Sequence, residues 1–196
     1  MNYSLKIDNA LKLAARLHNG QYRKDDAKTP YIVHPVAVMC ILTRYSNDED
    51  LLIAALLHDI LEDVELPYQE KIDLIEKEFG QRILKIIQSV SEKKDPLQKT
   101  DEKSTWLERK TQYIERLKND TKEALFVCAA DKIHNLRSMI ADYQIEGSKI
   151  WDKFNSSTDQ MIWFYEEIAK IISEKIVDND IARDLNFEVK KLKQLL

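Results

Sequence analysis

The chain has 196 residues, of which 33% are charged and 44% are hydrophobic, and its formal net charge is −4. This composition is typical of a globular protein with a sizeable core and excludes a long disordered chain. An acidic balance argues against general attraction to nucleic acid or to membrane surfaces, so we expect neither as a partner. The start of the chain has no signal-peptide pattern and no apolar run reaches transmembrane length, which predicts a cytoplasmic location.

Apolar residues recur at helical spacing along most of the chain. A first amphipathic helix is predicted near the start, and Pro35 suits the first turn of a second helix. Ser46 with Glu49 three residues later resembles a capping box before a helix over 51–61. A further helical stripe stops at Gly80, a residue typical of helix C-terminal caps, and a short helix is predicted after it.

The second half of the chain continues the helical pattern. Residues 91–104 are polar and irregular and predict a long loop. Helices are predicted over four later stretches, 106–117, 124–130, 157–176 and 180–195. Three glycines and four prolines are too few for the turns of an all-β chain. The sequence therefore predicts an all-α fold of roughly eight to ten helices in a single domain spanning residues 1–196.

A histidine and an aspartate lie side by side in a very apolar stretch. His58 and Asp59 belong to the run 51–61, and Glu62 and Asp63 follow them within about one turn. Strongly polar side chains are rarely buried unless they are paired or bind a metal. Residues three or four apart share a helix face, so the later carboxylates would stand beside a cation held by His58 and Asp59. There they could position or deprotonate a water molecule; a buried salt-bridge network is the alternative.

Two further residues extend this candidate metal site. Asp131 follows the apolar run at 124–130, and His34 precedes Pro35, which restricts its backbone. Two imidazoles and two carboxylates suit Mn²⁺ or Fe²⁺, and Zn²⁺, Co²⁺ or Ni²⁺ less distinctively. Each residue alone has a simpler explanation as a hydrogen-bonded core side chain, which is the one we prefer for His18. Together the residues favour a site for one metal ion.

Four motifs carry a resemblance to a known family. They are His18–Lys24, Tyr31–Pro35, Leu56–Asp63 and Ala130–Arg137. The order His34, His58-Asp59, Asp131 resembles the HD superfamily of metal-dependent phosphohydrolases. The flanking residues resemble the hydrolase domain of the Rel/SpoT-type alarmone enzymes. The resemblance runs from residue 5 to 175, and because this length leaves no room for a synthetase domain, we expect a stand-alone small alarmone hydrolase.

The resemblance implies an HD-domain helical fold and a specific reaction. Enzymes of this family use Mn²⁺ to remove the 3′-pyrophosphate of ppGpp or pppGpp, and ppApp is a further candidate substrate. The resemblance implies that four residues bind one Mn²⁺ ion, namely His34, His58, Asp59 and Asp131. It implies that Glu62 and Asp63 handle the attacking water. The implied substrate contacts are Arg23, Lys24 and Asn135, with weaker support for Lys93 and Lys110.

Two departures from the family leave the nucleotide open. The family usually has threonine after the Glu-Asp pair, where this chain has Val64, and residues 91–104 do not reproduce the family's basic loop. Guanine and adenine alarmones are therefore both candidates. An HD nucleotidase acting on another nucleotide and an inactive nucleotide-binding module are the alternative functions. The sequence predicts no oligomeric state, because an apolar interface looks like core in a helical chain.

Overall fold

The computed structural model describes residues 3–92 and 105–195, and these residues form ten α-helices and one 3₁₀ helix. The α-helices are α1 (Leu5–Leu17), α2 (Val33–Leu42), α3 (Glu49–Leu57), α4 (Ile60–Asp63), α5 (Tyr68–Phe79), α6 (Gln81–Val90), α7 (Trp106–Leu117), α8 (Lys122–Glu146), α9 (Thr158–Lys175) and α10 (Ile181–Leu195). The 3₁₀ helix is Gly147–Lys153. Across the described ranges the only β-type pairing is an isolated bridge between Tyr22 and Pro30. The prediction of an all-α fold is confirmed.

Helix α3 lies at the centre of the core. Every residue from Leu51 to Leu57 is buried, and the helix packs against α1, α2, α6 and α8. A helix that is apolar all round is stable only when other elements cover it on every side. Helix α8 is the second central element, with α2, α3, α6, α9 and α10 against it. Polar residues carried by these two helices are therefore brought into the interior.

The predicted helix over 51–61 is divided in two. Helix α3 ends at Leu57, and α4 begins at Ile60 with Asp59 as its N-cap residue. His58 and Asp59 keep right-handed helical backbone angles, so the chain changes direction little while the regular hydrogen-bond ladder is interrupted. The catalytic pair predicted from the sequence therefore lies on a separate helix of one turn.

The predicted capping box before α3 is wrong. The N-cap residue of α3 is Asp48, whose side chain accepts a hydrogen bond from the Asp50 N–H at 3.0 Å. Ser46 instead accepts from the Asp48 N–H at 3.1 Å and shapes the turn before the helix. Gly80 does end α5 as predicted, with a φ of 89° that residues other than glycine rarely adopt.

The later helices follow the prediction closely, with one extension. Helix α8 begins after the N-cap Thr121 but continues to Glu146, far beyond the apolar run at 124–130. Most of the predicted loop at 91–104 lies outside the described residues, as does Lys93. Among the helices that the structure describes, none has the length and apolar character needed to cross a membrane.

Candidate active site

Three parts of the fold bring the four predicted metal ligands together. His34 lies in the first turn of α2, His58 and Asp59 lie at the junction of α3 and α4, and Asp131 lies in α8. His34 Nε2 is 3.3 Å from Asp59 Oδ2 and 3.2 Å from Asp131 Oδ1. His58 Nε2 is 3.1 Å from Asp59 Oδ1 and 3.7 Å from Asp131 Oδ1. Ligand atoms of His34, His58 and Asp59 lie within 4.8 Å of one another, a spacing that can hold a metal ion.

The imidazole of His58 fits a metal ligand. Its Nδ1 lies 2.8 Å from the Ala55 carbonyl oxygen, which can only accept, so Nδ1 carries a hydrogen and Nε2 is the nitrogen that presents a lone pair whenever the ring is neutral. Nε2 is buried and makes no hydrogen bond within the described residues, although Asp59 Oδ1 is near it. A buried ring nitrogen that faces carboxylates and whose other nitrogen donates to a carbonyl is typical of a metal-binding histidine.

The second candidate histidine is oriented by a third. His34 Nδ1 lies 2.8 Å from His134 Nδ1, so one of these two nitrogens must donate and the other accept. Burial lowers the pKa of His134 to about 4 and keeps it neutral at pH 7. If His34 donates from Nδ1, its Nε2 presents a lone pair to the two carboxylates, as metal binding requires.

The charges of this cluster favour a cation. Burial disfavours a charged His58, yet the negative charges of Asp59 and Asp131 outweigh it and raise its pKa to about 9. Burial likewise opposes the charge of Asp59, but the neighbouring His58 and His34 hold its pKa below the usual value. Without a cation, a proton on His58 thus compensates the carboxylates. A divalent ion bound among two nitrogens and two carboxylates would replace that proton, so the donor set fits the metal that the sequence predicts.

Glu62 lies beside this cluster in a half-buried position. Its Oε1 accepts a hydrogen bond from the Glu92 N–H at 2.5 Å. Burial, together with the negative charge of Asp59, raises the pKa of Glu62 to about 7. A carboxylate with a pKa near neutrality is suited to accept a proton from water at physiological pH.

Asp63 is linked to the cluster through Tyr31. The Tyr31 hydroxyl lies 2.7 Å from Asp59 Oδ2 and 2.8 Å from Asp63 Oδ2. Burial and the two carboxylates raise the pKa of Tyr31, so the hydroxyl keeps its proton. The ring also stacks on His18, with centroids 4.8 Å apart. His18 is therefore buried as expected, and it supports a residue of the site.

Two adjoining cavities open around these residues. The smaller, of about 140 Å³, is lined by the four candidate metal ligands and Glu62. The larger, of about 810 Å³, is lined by Asp63 and by basic and aromatic side chains. Both cavities share several lining residues, Arg23, Tyr31, His34, Lys110, Lys132, Asn135 and Phe164. A ligand in the larger cavity can therefore extend one end toward the metal ligands.

Four of the five predicted substrate contacts line the larger cavity, and the fifth, Lys93, lies outside the described residues. Arg23 Nη2 donates to Asn135 Oδ1 at 3.0 Å, and Lys24 Nζ lies 3.4 Å from the Lys153 carbonyl oxygen. Lys110 Nζ lies 2.6 Å from Glu92 Oε2, which balances its charge. The structure thus places these side chains at the cavity wall.

Sequence reasoning missed several residues of the site. Tyr31 and His134 belong to motifs that were already recognised, but nothing in their spacing showed which ring contacts they make. Lys132 Nζ lies 2.5 Å from Asp131 Oδ2 and 5.5 Å from the centroid of the Tyr113 ring. Glu92 had no signal, because it lies in a segment where acidic and basic residues alternate.

The fold and the site together define a helical domain whose core holds two histidines and two aspartates around one point. A family model described as HD domain matches residues 10–160. The chain therefore belongs to the HD-domain family, whose fold implies a divalent metal at this cluster.

Three relatives show which proteins the chain resembles in sequence. The chain is 32% identical over 190 residues to the Drosophila melanogaster guanosine-3′,5′-bis(diphosphate) 3′-pyrophosphohydrolase MESH1, with 95% of this chain and 91% of that protein covered. It is 37% identical over 133 residues to human MESH1, with 66% of this chain and 67% of the human protein covered. The Escherichia coli bifunctional (p)ppGpp synthase/hydrolase SpoT is 35% identical over 183 residues, but the chain spans only 24% of its length.

Solved structures agree with these relatives. A structure described as a metazoan SpoT orthologue that hydrolyses ppGpp superposes with a TM-score of 0.76 at 27% identity, covering 100% of this chain and 99% of the other. The lmo0812 protein of Listeria monocytogenes superposes with a TM-score of 0.67 at 26% identity, with 81% of this chain and 97% of the Listeria chain covered. The prediction of an HD-domain helical fold related to the alarmone hydrolases is confirmed.

Proposed function

We propose that this chain hydrolyses the 3′-pyrophosphate of alarmone nucleotides, ppGpp, pppGpp or ppApp, in the cytoplasm, with Mn²⁺ as its metal. The observation that carries the proposal is the adjacency of two features. A buried cluster of two histidines and two aspartates lies next to Glu62, and both adjoin a cavity lined by basic side chains. The names of the relatives that the chain matches along most of its length support the same reaction.

The choice of metal rests on the donor set. Two imidazole nitrogens and two carboxylates suit Mn²⁺ or Fe²⁺ better than a thiolate-preferring ion. We assign His34, His58, Asp59 and Asp131 as the ligands. When bound there, the divalent ion supplies Lewis-acid polarisation of the phosphorus centre and of the attacking water.

The residues around the ligands supply the proton chemistry. Glu62, with a pKa of about 7, accepts a proton from the attacking water, and its Oε1 is held toward the Glu92 amide. Asp63 orients the same water and is itself held by the Tyr31 hydroxyl. Basic residues at the cavity wall, Arg23, Lys110 and Lys132, stabilise the negative charge that develops on the pyrophosphate.

The larger cavity suits a nucleotide. Its volume of about 810 Å³ lies within the range of small-molecule sites. Three aromatic residues, Phe154, Phe164 and Tyr165, line it and present surface to the cavity. We assign Arg23, Lys24 and Asn135, together with Lys110, as substrate contacts. Lys93 remains a prediction from the sequence.

A direct assay tests this function. The purified protein is incubated with Mn²⁺ and a panel of ppGpp, pppGpp, ppApp and nucleoside monophosphates, and the products are identified. We expect pyrophosphate and the nucleoside 5′-di- or triphosphate. Phosphate release from monophosphates alone would identify a nucleotidase instead, and binding without turnover would identify an inactive binding module. The matched variant Glu62→Gln/Asp63→Asn is expected to keep Mn²⁺ binding and lose turnover.

A further inference from the structure

The one-turn helix α4 carries both candidate catalytic carboxylates and has few hydrogen bonds of its own. It comprises four residues, and the amides of Glu62 and Asp63 both bond to the Asp59 carbonyl. Helices this short are not stable by themselves, because the cost of ordering the first turn exceeds what its few hydrogen bonds return. Contacts from other elements must therefore hold the turn, and its last carbonyl oxygens need partners.

A buried lysine from α5 provides two of those partners. Lys71 is 5% exposed, and its Nζ lies 2.7 Å from the Leu61 carbonyl oxygen and 3.1 Å from the Val64 carbonyl oxygen. These carbonyls lie on either side of Glu62 and Asp63. A cation at a helix C-terminus also stabilises the partial negative charge of the carbonyl groups. Val64 has no side-chain hydroxyl and adds no donor of its own, and its carbonyl oxygen also accepts from the Leu66 N–H at 3.0 Å.

A glutamine from the segment after α1 holds the carbonyl between them. Gln21 Nε2 donates to the Asp63 carbonyl oxygen at 2.6 Å. The amide is oriented in turn by His18, because the Gln21 oxygen lies 2.7 Å from His18 Nδ1 and can only accept. His18 is 2% exposed, so this support comes from a fixed part of the core.

We propose that Lys71 and Gln21 are positioning residues that fix Glu62 and Asp63 by binding the main-chain carbonyls of residues 61, 63 and 64. The inference rests on the proposed function for the catalytic role of those two carboxylates. The candidate metal ligands are held by other contacts. His58 is bonded to the Ala55 carbonyl and His34 to His134, while Asp59 accepts from the Tyr31 hydroxyl and Asp131 from Asn135. We call Lys71 and Gln21 the clamp. Its loss should displace Glu62 and Asp63 and leave the candidate metal ligands in place.

The test compares Lys71→Met and Gln21→Met with wild type. Methionine keeps most of the volume of each side chain and removes its hydrogen-bond donors. We expect amide hydrogen exchange of residues 62–66 to accelerate by about tenfold or more, since the turn opens more often. We expect kcat to fall by about 10- to 100-fold, as small misplacements of catalytic groups do, with KM and Mn²⁺ affinity within about twofold.

The control is Glu188→Gln, which also removes a charge from a buried side chain but lies in α10, where it pairs with Arg137. We expect this variant to lower the melting temperature without changing exchange at 62–66 or kcat. Unchanged exchange in the clamp variants, or a parallel loss of Mn²⁺ affinity, would overturn the inference. If Lys71→Met does not fold, the less buried Gln21→Met decides by the same measurements.

Failure of the proposed function is distinguishable from failure of the clamp. Wild-type protein without pyrophosphohydrolase activity would refute the function, and hydrogen exchange at 62–66 would still decide whether the two side chains hold the turn. Active wild-type protein with a normal kcat in both clamp variants would refute the positioning role alone.

Discussion

Each candidate metal ligand has a second contact that fixes its orientation. The supporting partners are the Ala55 carbonyl for His58, His134 for His34, the Tyr31 hydroxyl for Asp59, and Asn135 with Lys132 for Asp131. Such contacts set the tautomer of a histidine and limit the rotation of a carboxylate before any ion arrives. The site is therefore organised by hydrogen bonds that the fold itself supplies.

Replacing Glu62 by glutamine is expected to stabilise the metal-free protein at alkaline pH. The unfolded carboxyl ionises near 4.5 and the folded one near 7. Between these values the folded state binds more protons, so wild-type stability falls as pH rises through this window. Glutamine does not ionise and can still accept from the Glu92 amide. We expect a gain on the order of 3 kcal/mol at about pH 9 and none at about pH 4.

Urea unfolding in the presence of EDTA measures this difference across pH. The same substitution is expected to abolish turnover, which would show that the stability cost of this half-buried carboxylate is linked to its function. A stability difference that is independent of pH would contradict the raised pKa of Glu62. Asp73→Asn, at an exposed position of α5, serves as a control because its charge lies on the surface.

Replacing His134 by phenylalanine is expected to weaken metal binding. The ring volume is retained, but His34 Nδ1 loses the partner at 2.8 Å that orients it. Loss of such a supporting contact typically lowers metal affinity by about 10- to 100-fold. Titration with Mn²⁺, followed by electron paramagnetic resonance of the free ion, measures the change. Tyr45→Phe, which removes a hydroxyl bonded to Asp184, should leave the affinity unchanged; an equal affinity in both variants would exclude the role of His134.

The sequence was sufficient to predict which residues cluster, because imidazoles and carboxylates in apolar runs must meet a partner or a cation. The structure does bring His34, His58, Asp59 and Asp131 close together, while their roles as metal ligands stay predictions. Contacts such as that of Glu92 with Glu62 could not be predicted. They depend on where α6 ends relative to α4, and local sequence does not encode that relation.

At the scale of helices, the two central helices, α3 and α8, carry or lead into polar residues of the candidate site. Helix α3 is buried on all sides and leads directly into His58 and Asp59, while α8 carries Asp131 and Asn135 midway along its length. Apolar periodicity predicted that both helices exist, but not that α8 continues to Glu146. It did not predict the break after Leu57, because the backbone angles of residues 58 and 59 remain helical and only the hydrogen-bond ladder changes.

Helix α3 is expected to dominate stability. Leu56 is completely buried in the core, so Leu56→Ala removes packing that its neighbours can only partly replace. We expect a loss of about 2 to 5 kcal/mol in the free energy of unfolding, measured by urea denaturation. Leu5→Ala, at a position that is 82% exposed, should change it by less than about 0.5 kcal/mol. Similar losses in both variants would contradict the central position of α3.

At the scale of the whole molecule, the candidate metal site joins distant parts of the chain. His34 and Asp131 are almost a hundred positions apart and come from α2 and α8, which pack against each other. The assignment of residues 1–196 to a single domain stays a prediction, as does the loop over 91–104. An ion held at this junction would bind only the folded arrangement, because the unfolded chain does not keep these ligands together.

Metal binding is therefore expected to stabilise the whole fold. At a free Mn²⁺ concentration one hundred times Kd, a ligand specific for the folded state adds about 2.7 kcal/mol. For a protein of this size that corresponds to a rise of about 5 to 10 °C in melting temperature, measured by calorimetry with and without EDTA. His58→Gln should fold but show no such rise, while Lys110→Met should keep it, because the ion pair that the structure shows for Lys110 is with Glu92. An equal rise in His58→Gln would place the stabilising ion elsewhere in the protein.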